Sequence, residues 1–299
     1  MKLDDPDPSL PKGAAHRDAR ALLILAPVVF LVLFMVLPLV WMLVVSLRGQ
    51  EESTLGVFWS LLATPLYRQV WLQTILLSAV VASLTLFLGY PLVIVLVHSN
   101  GVIERLILAL VLSSMWIGVL VRSYAWIILL QSKGPVSSML LSTGLIKEPL
   151  RLVFTRFAVV MAMTHILLPF MVLILWSSLR RYGSDLQLVA SSLGAGRAVY
   201  LFRVFLPVSR SAIAAGTLLV FLLSIGFFIT PALLGGGRGD TMMIAMLVEE
   251  QVNTLGRWRA GSALALLLMA SVLVPMWLSW RWRAVREVWQ DLLSGGTDV

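Results

Sequence analysis

Six long runs of apolar residues, separated by shorter polar stretches, dominate the chain. They cover positions 21–47, 70–97, 102–130, 153–179, 212–234 and 261–280. A helix needs about 20 mostly apolar residues to cross the hydrocarbon core of a bilayer, and each run reaches that length. The pattern therefore predicts an all-α integral membrane protein with about six transmembrane helices.

The stretch 131–152, between the third and fourth runs, contains the helix-breaking pair Gly134-Pro135. Glycine is too flexible to favour a helix, and proline lacks the amide hydrogen that the helix needs. We predict that part of this stretch lies flat on the membrane or dips into it.

The first apolar run follows a short tail that carries both acidic and basic residues. The run is longer than the roughly 7–15 residues of a signal-peptide core, and no small-residue cleavage site follows it, so we predict an uncleaved anchor helix. The resulting division is a cytoplasmic tail at 1–20, a transmembrane domain at 21–283 with a cytoplasmic loop at 180–210, and a cytoplasmic tail at 284–299.

Composition and charge support a membrane protein and argue against a nucleic-acid partner. The 299 residues are 59% hydrophobic and 13% charged, whereas soluble domains average roughly 45–50% and 25%. The net charge of +8 comes largely from Lys and Arg in the stretches between apolar runs. Such residues are retained on the cytoplasmic side, and the loop at 180–210 contributes most, so both termini are predicted to be cytoplasmic.

The loop at 180–210 contains many apolar residues for a connection outside the bilayer. Their spacing of three and four positions predicts two short amphipathic helices hinged at 194–196. The apolar residues are Leu186, Leu188, Val189, Leu193, Val199, Leu201, Phe202, Val204 and Phe205. These faces either pack against the ends of the protein's own helices or dock on a soluble partner, and the spacing leaves both open.

A motif in this loop resembles the signature loop of binding-protein-dependent permeases, the MetI-like subunits of type I ATP-binding-cassette importers. Leu193-Gly194-Ala195 is followed by Leu206-Pro207, with Pro207 thirteen positions after Gly194. The resemblance implies that the loop sits in a cleft of a cytoplasmic ATPase. The coupling residues that it implies are Asp185, Leu188, Ala190, Leu193, Gly194, Ala195, Leu206 and Pro207.

The loop departs from the family pattern at one position. The family's Glu-Ala-Ala falls on Leu188-Val189-Ala190, so the acidic residue is missing, and Asp185 is the nearest acid. Apolar docking is therefore a better-supported expectation than an ion pair.

Four further strings resemble the polyamine-type branch of these permeases. They are Ser114-Met115-Trp116-Ile117-Gly118, Val121-Arg122-Ser123-Tyr124-Ala125-Trp126, Leu167-Leu168-Pro169-Phe170, and Thr230-Pro231-Ala232-Leu233-Leu234-Gly235-Gly236. The resemblance implies a small solute such as a polyamine or a related cationic amino compound.

Candidate residues for the solute path include one cation, two acids and several aromatic residues. Arg122 lies in an apolar run, where a cation costs about 2.5–3.5 kcal/mol. It therefore either has a structural role, as an anchor at the external interface or a helix-pairing residue, or lines the path. Carboxylates and aromatic rings suit a cationic solute. The alternatives are a solvated loop balanced by Arg238, Arg257 and Arg259 for the acids, and a membrane-interface belt or bundle packing for the rings. The candidates are Arg122, Tyr124, Trp126, Phe227, Phe228, Thr230, Asp240 and Glu249.

The sequence lacks the motifs of an ATPase or a metal site. No phosphate-binding G-x-x-x-x-G-K-[ST] string occurs, so no enzymatic activity is expected of this chain. There are no cysteines, and the three histidines stand far apart, so no metal is expected either.

The resemblance implies several partners in the bacterial inner membrane and on either side of it. They are a cytoplasmic ATPase dimer that carries ATP and Mg²⁺, a second and different permease subunit, and a periplasmic substrate-binding protein. An ion-coupled secondary carrier and a non-transporting scaffold subunit remain as alternatives.

Overall fold

The computed structural model describes residues 12–47, 56–99, 101–180, 182–236 and 239–280, without the side chains of 12–24, 26, 183–185 and 279–280. The predicted tail 284–299, residues 281–283, and positions 1–11 of the predicted tail 1–20 lie outside these ranges.

Every regular element in the described ranges is helical, as the sequence predicts. The α-helices are α1 (Lys12–Leu47), α2 (Gly56–Ala63), α3 (Pro65–His98), α4 (Gly101–Trp116), α5 (Val119–Leu130), α6 (Pro135–Ser142), α7 (Arg156–Leu179), α8 (Gly183–Ser192), α9 (Arg197–Val199), α10 (Leu206–Val208), α11 (Arg210–Ile225), α12 (Ile229–Leu234), α13 (Ile244–Glu249) and α14 (Trp258–Trp280). Two π-helical turns, Tyr200–Phe205 and Glu250–Thr254, and a 3₁₀ turn, Gly239–Thr241, complete the set.

Helices α3, α7 and α11 form the centre of the bundle, and α7 is the most buried of the long helices. Small residues allow the three backbones to approach closely, as is usual in membranes. Met171 on α7 fills the space beside Gly89 and Gly216. A Cβ added at Gly89 would lie 3.1 Å from Met171 Cγ, and a Cβ added at Gly216 would lie 2.8 Å from Met171 Sδ. Met171 itself is fully buried.

Helix α1 packs along α14, and its apolar stretch is largely exposed in this single chain. Arg259, in the first turn of α14, donates from Nε to the backbone oxygen of Ser46 at 3.2 Å. The junction joins the end of α1 to the beginning of α14.

Six membrane crossings are possible by length and composition, in agreement with the predicted number. Four single helices qualify: Pro27–Leu47, Pro65–His98, Arg156–Leu179 and Trp258–Leu278. Two bent pairs supply the others: Gly101–Trp116 with Val119–Ser142, bent by 98°, and Arg197–Val208 with Arg210–Ile225, bent by 62°.

The predictions for the third and fifth helices were wrong in one respect, because neither is continuous. The run 102–130 breaks before α5, where Gly118 has an extended backbone with ψ of 147°. The run 212–234 ends at Ile225, and a separate α12 follows. Pro231 fits the first turn of the new helix, where the amide hydrogen that it lacks needs no partner within the helix.

Helix α4 lies at the edge of the bundle and has no buried residue. A polar contact ties it to the C-terminal part of α7: Trp176 Nε1 donates to Glu104 Oε1 at 2.9 Å. Arg180 lies over the same indole, with its guanidinium carbon 5.1 Å from the ring centroid. This end of the bundle also carries the loop 180–210, and we call it the loop end.

Candidate coupling loop and transport path

The loop contains both helices that its apolar spacing predicts. Its first arm is α8, and its second arm, Arg197–Val208, comprises α9, the first π turn and α10. Between them Gly194 has φ of +78°, a left-handed conformation that favours glycine. The amide of Gly194 donates to Ser191 O at 3.0 Å, and that of Ala195 to Ala190 O at 2.9 Å. This is a Schellman motif, which stops α8 and redirects the chain.

The apolar side chains of the loop divide between solvent and the bundle. Leu188, Leu193 and Phe202 are 65%, 83% and 70% exposed. By contrast, Ala190 is buried and Ala195 is half-buried against the core. One face of the loop therefore packs against the protein's own helices, and docking of the exposed face on a soluble partner stays a prediction.

Two of the remaining coupling candidates lie at the attachment of the loop, and one is only partly described. Leu206 and Pro207 are half-buried at the end of the second arm. Asp185 lies in α8, but its side chain is outside the described residues. The coupling role of Asp185 therefore stays a prediction.

The second arm is attached to α3 by residues that the sequence did not single out. His98 Nε2 lies 3.0 Å from the hydroxyl oxygen of Tyr200, and the two rings meet edge to face with centroids 5.6 Å apart. The ring of Phe205, which is fully buried, lies 5.3 Å from that of His98. No spacing rule links positions 98 and 200, and the sequence signalled only that His98 directly follows the predicted helix 70–97.

The bend between the second arm and α11 occurs at Ser209, which is fully buried. Its hydroxyl donates to Phe205 O at 2.6 Å, and Tyr90 on α3 donates its hydroxyl to Ser209 Oγ at 3.2 Å. The π turn before Pro207 closes with the amide of Leu206 on Leu201 O. The attachment thus fixes the bend as well as the arm.

Helices α5, α7 and α12 meet near the middle of α7, around two of the path candidates. Arg122 is 8% exposed and donates from one terminal nitrogen to Ile166 O on α7 at 3.3 Å. Thr230 is fully buried, and its hydroxyl oxygen lies 2.8 Å from that of Ser123. These contacts join helices, and Arg122 here pairs α5 with α7.

The aromatic candidates occupy different environments. Tyr124 and Phe228 are exposed, whereas Trp126 and Phe227 are half-buried against the core. Trp126 donates from Nε1 to His165 Nδ1 at 3.4 Å. The four rings are therefore not gathered in one enclosed site within this chain.

The connection after α12 folds back on the bundle, as the glycines at 235–237 allow. Gln73 on α3 donates to Gly239 O at 3.2 Å, and the amide of Ile244 donates to Thr74 Oγ1 at 3.0 Å. Glu249 ends α13 and is half-buried.

The ion-pair partner of Asp240 differs from the expected arginines. Arg156 lies 3.0 Å from Asp240 Oδ1 and also donates to the backbone oxygen of Asp240 at 3.0 Å. Arg259 instead holds Ser46, as described above, and Arg238 lies outside the described residues. Both side chains of the pair are more than half exposed.

Two concave surfaces lie beside α3. One, of about 370 Å³, is next to the ion pair and carries the polar side chains of Gln69, Gln73 and Arg156. The other, of about 580 Å³, lies between α3, α11 and α14, with Ser83 and Thr217 as its polar lining residues. Both are open grooves on the surface of this chain.

Comparison with known proteins identifies the family. No protein-family model matches the chain. The chain is 32% identical over 263 residues to the spermidine/putrescine transport system permease protein PotB of Salmonella typhimurium, covering 86% of this chain and 90% of that protein. PotB of Haemophilus influenzae is 30% identical over 243 residues, covering 79% and 84%. The chain belongs to the PotB-type permease family.

The permease is therefore a multi-pass membrane subunit of an ABC importer. Its fold is shared with a solved bacterial alginate ABC transporter bound to a periplasmic protein, at a TM-score of 0.70 and 16% identity, with 90% of this chain and 96% of that chain covered. The permease also resembles the molybdenum transport system permease protein ModB of Mycobacterium tuberculosis, 28% identical over 218 residues, covering 73% of this chain and 81% of that protein.

Proposed function

We propose that this permease moves a polyamine or a related cationic amino compound from the periplasm to the cytoplasm. Two relatives at 30% and 32% identity are spermidine/putrescine permeases by name, which supports this class of solute. In this proposal a periplasmic binding protein delivers the solute, and a second, different permease supplies the other wall of the path.

The loop end faces the cytoplasm in this proposal. Four arginines at that end, Arg180, Arg197, Arg203 and Arg210, are exposed, and basic residues near helix ends are retained on the cytoplasmic side. Six crossings then put both termini in the cytoplasm and the Arg156–Asp240 pair in the periplasm.

The coupling partner is a cytoplasmic ATPase dimer that carries ATP and Mg²⁺. The observation that supports this most is the exposed apolar ridge of the loop, formed by Leu188, Leu193 and Phe202. A large apolar side chain outside the bilayer is stabilised by burial against a partner, by about 1.5–3 kcal/mol for complete burial. Closure of the ATPase dimer on ATP displaces the ridge, and the path changes from inward-facing to outward-facing.

Vesicles that contain the complete transporter test the proposal. We expect uptake of labelled putrescine that requires both ATP and the ATPase subunits. Leu193→Asp should reduce uptake strongly because it places a charge on the docking ridge. The control is Leu255→Asp, which places the same charge at an exposed leucine between the second π turn and α14.

The outcomes separate this proposal from its alternatives. Uptake driven by an ion gradient without ATPase subunits indicates a secondary carrier. No uptake, with no stimulation of the ATPase by loaded binding protein, indicates a scaffold. Competition by molybdate but not by spermidine contradicts the proposed solute class.

A further inference from the structure

The two faces of the loop have different surroundings. One face is exposed and carries Leu188 and Leu193, together with Phe202 of the second arm. The second arm is fastened to α3 by a cluster that we call the aromatic clasp: Tyr90, His98, Tyr200, Phe205 and Ser209. The loop therefore has a free docking face and a fixed root.

The hydrogen bonds of His98 define the polar part of the clasp. Its Nδ1 lies 2.7 Å from the backbone oxygen of Ile94, which can only accept, so Nδ1 carries the proton. In the neutral ring, Nε2 is then an acceptor, and the Tyr200 hydroxyl at 3.0 Å donates to it. In this tautomer both hydrogen bonds of His98 have a defined direction, and they orient the imidazole ring between Ile94 and Tyr200.

The apolar part of the clasp lies around Phe205. Its ring is 5.9 Å from that of Tyr200, 5.3 Å from that of His98 and 6.4 Å from that of Tyr90, centroid to centroid. Close packing of this kind resists small displacements and moves as a unit.

The clasp also reaches the bend into α11. Tyr90 holds Ser209, where the second arm turns by 62° into that helix. Through this bond α3 is connected both to the second arm and to the first turn of α11.

We infer that His98 and Tyr200 are positioning residues for coupled transport. They lock the second arm to α3, so that movement of the docking face by a partner turns α3 and α11 together and not the loop alone. This inference rests on the proposed function, because it requires a partner that moves the docking face.

The test measures solute transported per ATP hydrolysed in vesicles that contain the complete transporter, with labelled putrescine as the probe. Tyr200→Phe keeps the ring and removes only the hydroxyl. We expect it to lower transport per ATP by about threefold or more, the equivalent of one hydrogen bond. His98→Leu should do the same, and His98→Gln, whose amide can still bond the Tyr200 hydroxyl, should restore part of the loss.

A matched control is Tyr67→Phe, which removes a tyrosine hydroxyl beyond the clasp, at a half-buried position near the start of α3. It should leave transport per ATP unchanged. The amount of assembled transporter in the membrane is measured for every variant.

Two results overturn the inference and leave the proposed function standing. One is unchanged transport per ATP in both Tyr200→Phe and His98→Leu. The other is a loss of assembled transporter with an unchanged ratio, which shows a role in folding alone. Failure of the unaltered transporter to take up putrescine with ATP overturns the proposed function itself, and this inference with it.

Discussion

Ser123 on α5 and Thr230 on α12 share a buried hydrogen bond of 2.8 Å across 107 positions of the chain. Each residue follows a break in an apolar run, Ser123 after Gly118 and Thr230 after Gly226. Both belong to strings that resemble the polyamine-type branch. The bond therefore holds together the two short helices that the breaks produce.

We predict that this bond contributes measurably to stability. Ser123→Ala and Thr230→Val should each lower the free energy of unfolding in detergent micelles, because each leaves the partner hydroxyl unpaired. A double-mutant cycle should give a coupling energy of about 0.6 kcal/mol, and up to about 1.7, as for other hydrogen bonds between membrane helices. A coupling energy of zero would show that the two hydroxyls do not interact.

We expect Arg122→Lys to lower the free energy of unfolding more than Arg122→Met does. Burial of a cation at membrane depth costs about 2.5–3.5 kcal/mol, and a hydrogen bond from a charged donor to Ile166 O returns about 1.5–3 kcal/mol. Because these nearly cancel, Arg122→Met should change the free energy of unfolding little. Arg122→Lys keeps the cost of the charge without the geometry of the guanidinium, so it should be the less stable variant in micelles.

The same pair of variants separates the two roles considered for Arg122. If it only pairs α5 with α7, Arg122→Met leaves the KM for putrescine uptake unchanged. A lowered or raised KM in a stable Arg122→Met protein would instead place this residue on the solute path.

Asp240 is engaged by Arg156, and we predict that it is not a principal contact for the solute. An exposed ion pair contributes about 0–1 kcal/mol, so Asp240→Asn should have little effect on stability. Asp240→Asn should also leave the KM for putrescine unchanged. The KM of Glu249→Gln, which removes the other candidate carboxylate, is measured for comparison. A solute contact would give the opposite pattern: a higher KM in Asp240→Asn, and a lower KM in Arg156→Gln, which frees the carboxylate.

The sequence was sufficient for features that depend on local spacing. Apolar length predicted the number of crossings, and Gly194 within a pattern of threes and fours predicted two arms and a turn. The break before α5 was missed because 102–130 is apolar almost throughout. After the break α5 packs on α12, a contact between distant parts of the chain that local spacing does not reveal. The contact of His98 with Tyr200 was missed because a pairing across 102 positions leaves no trace in the periodicity of one chain.

We predict that glycine is needed at position 194 because of the left-handed backbone conformation, and not because a side chain would lack room. An added Cβ would meet nothing within 4 Å, but φ is +78°, which costs other residues about 1–2 kcal/mol. Gly194→Ala should lower ATP-dependent uptake moderately, and Gly194→Asn less, because asparagine adopts this conformation more easily.

Gly194→Pro should abolish uptake without preventing insertion, because proline fixes φ near −65° and removes the amide that donates to Ser191. Gly196→Ala is the matched control, since Gly196 has φ of −69° and open space around it. Normal uptake by Gly194→Pro would show that the turn does not set the angle of the docking face.

We predict the reverse for position 235, where glycine is needed because a side chain would lack room and not because of the backbone conformation. Its φ of −93° suits any residue, but an added Cβ would lie 2.6 Å from Pro231 O and 2.7 Å from Thr241 Oγ1. The Thr241 hydroxyl donates to Gly235 O at 2.6 Å, so this clash would push the folded-back connection away from α12. We expect Gly235→Ala to lower the free energy of unfolding in micelles by about 1–3 kcal/mol, as overpacking does. Gly226→Ala, at a similar φ of −83° with nothing within 4 Å, should change it far less; equal effects of the two substitutions would mean that the connection does not pack against α12 in this way.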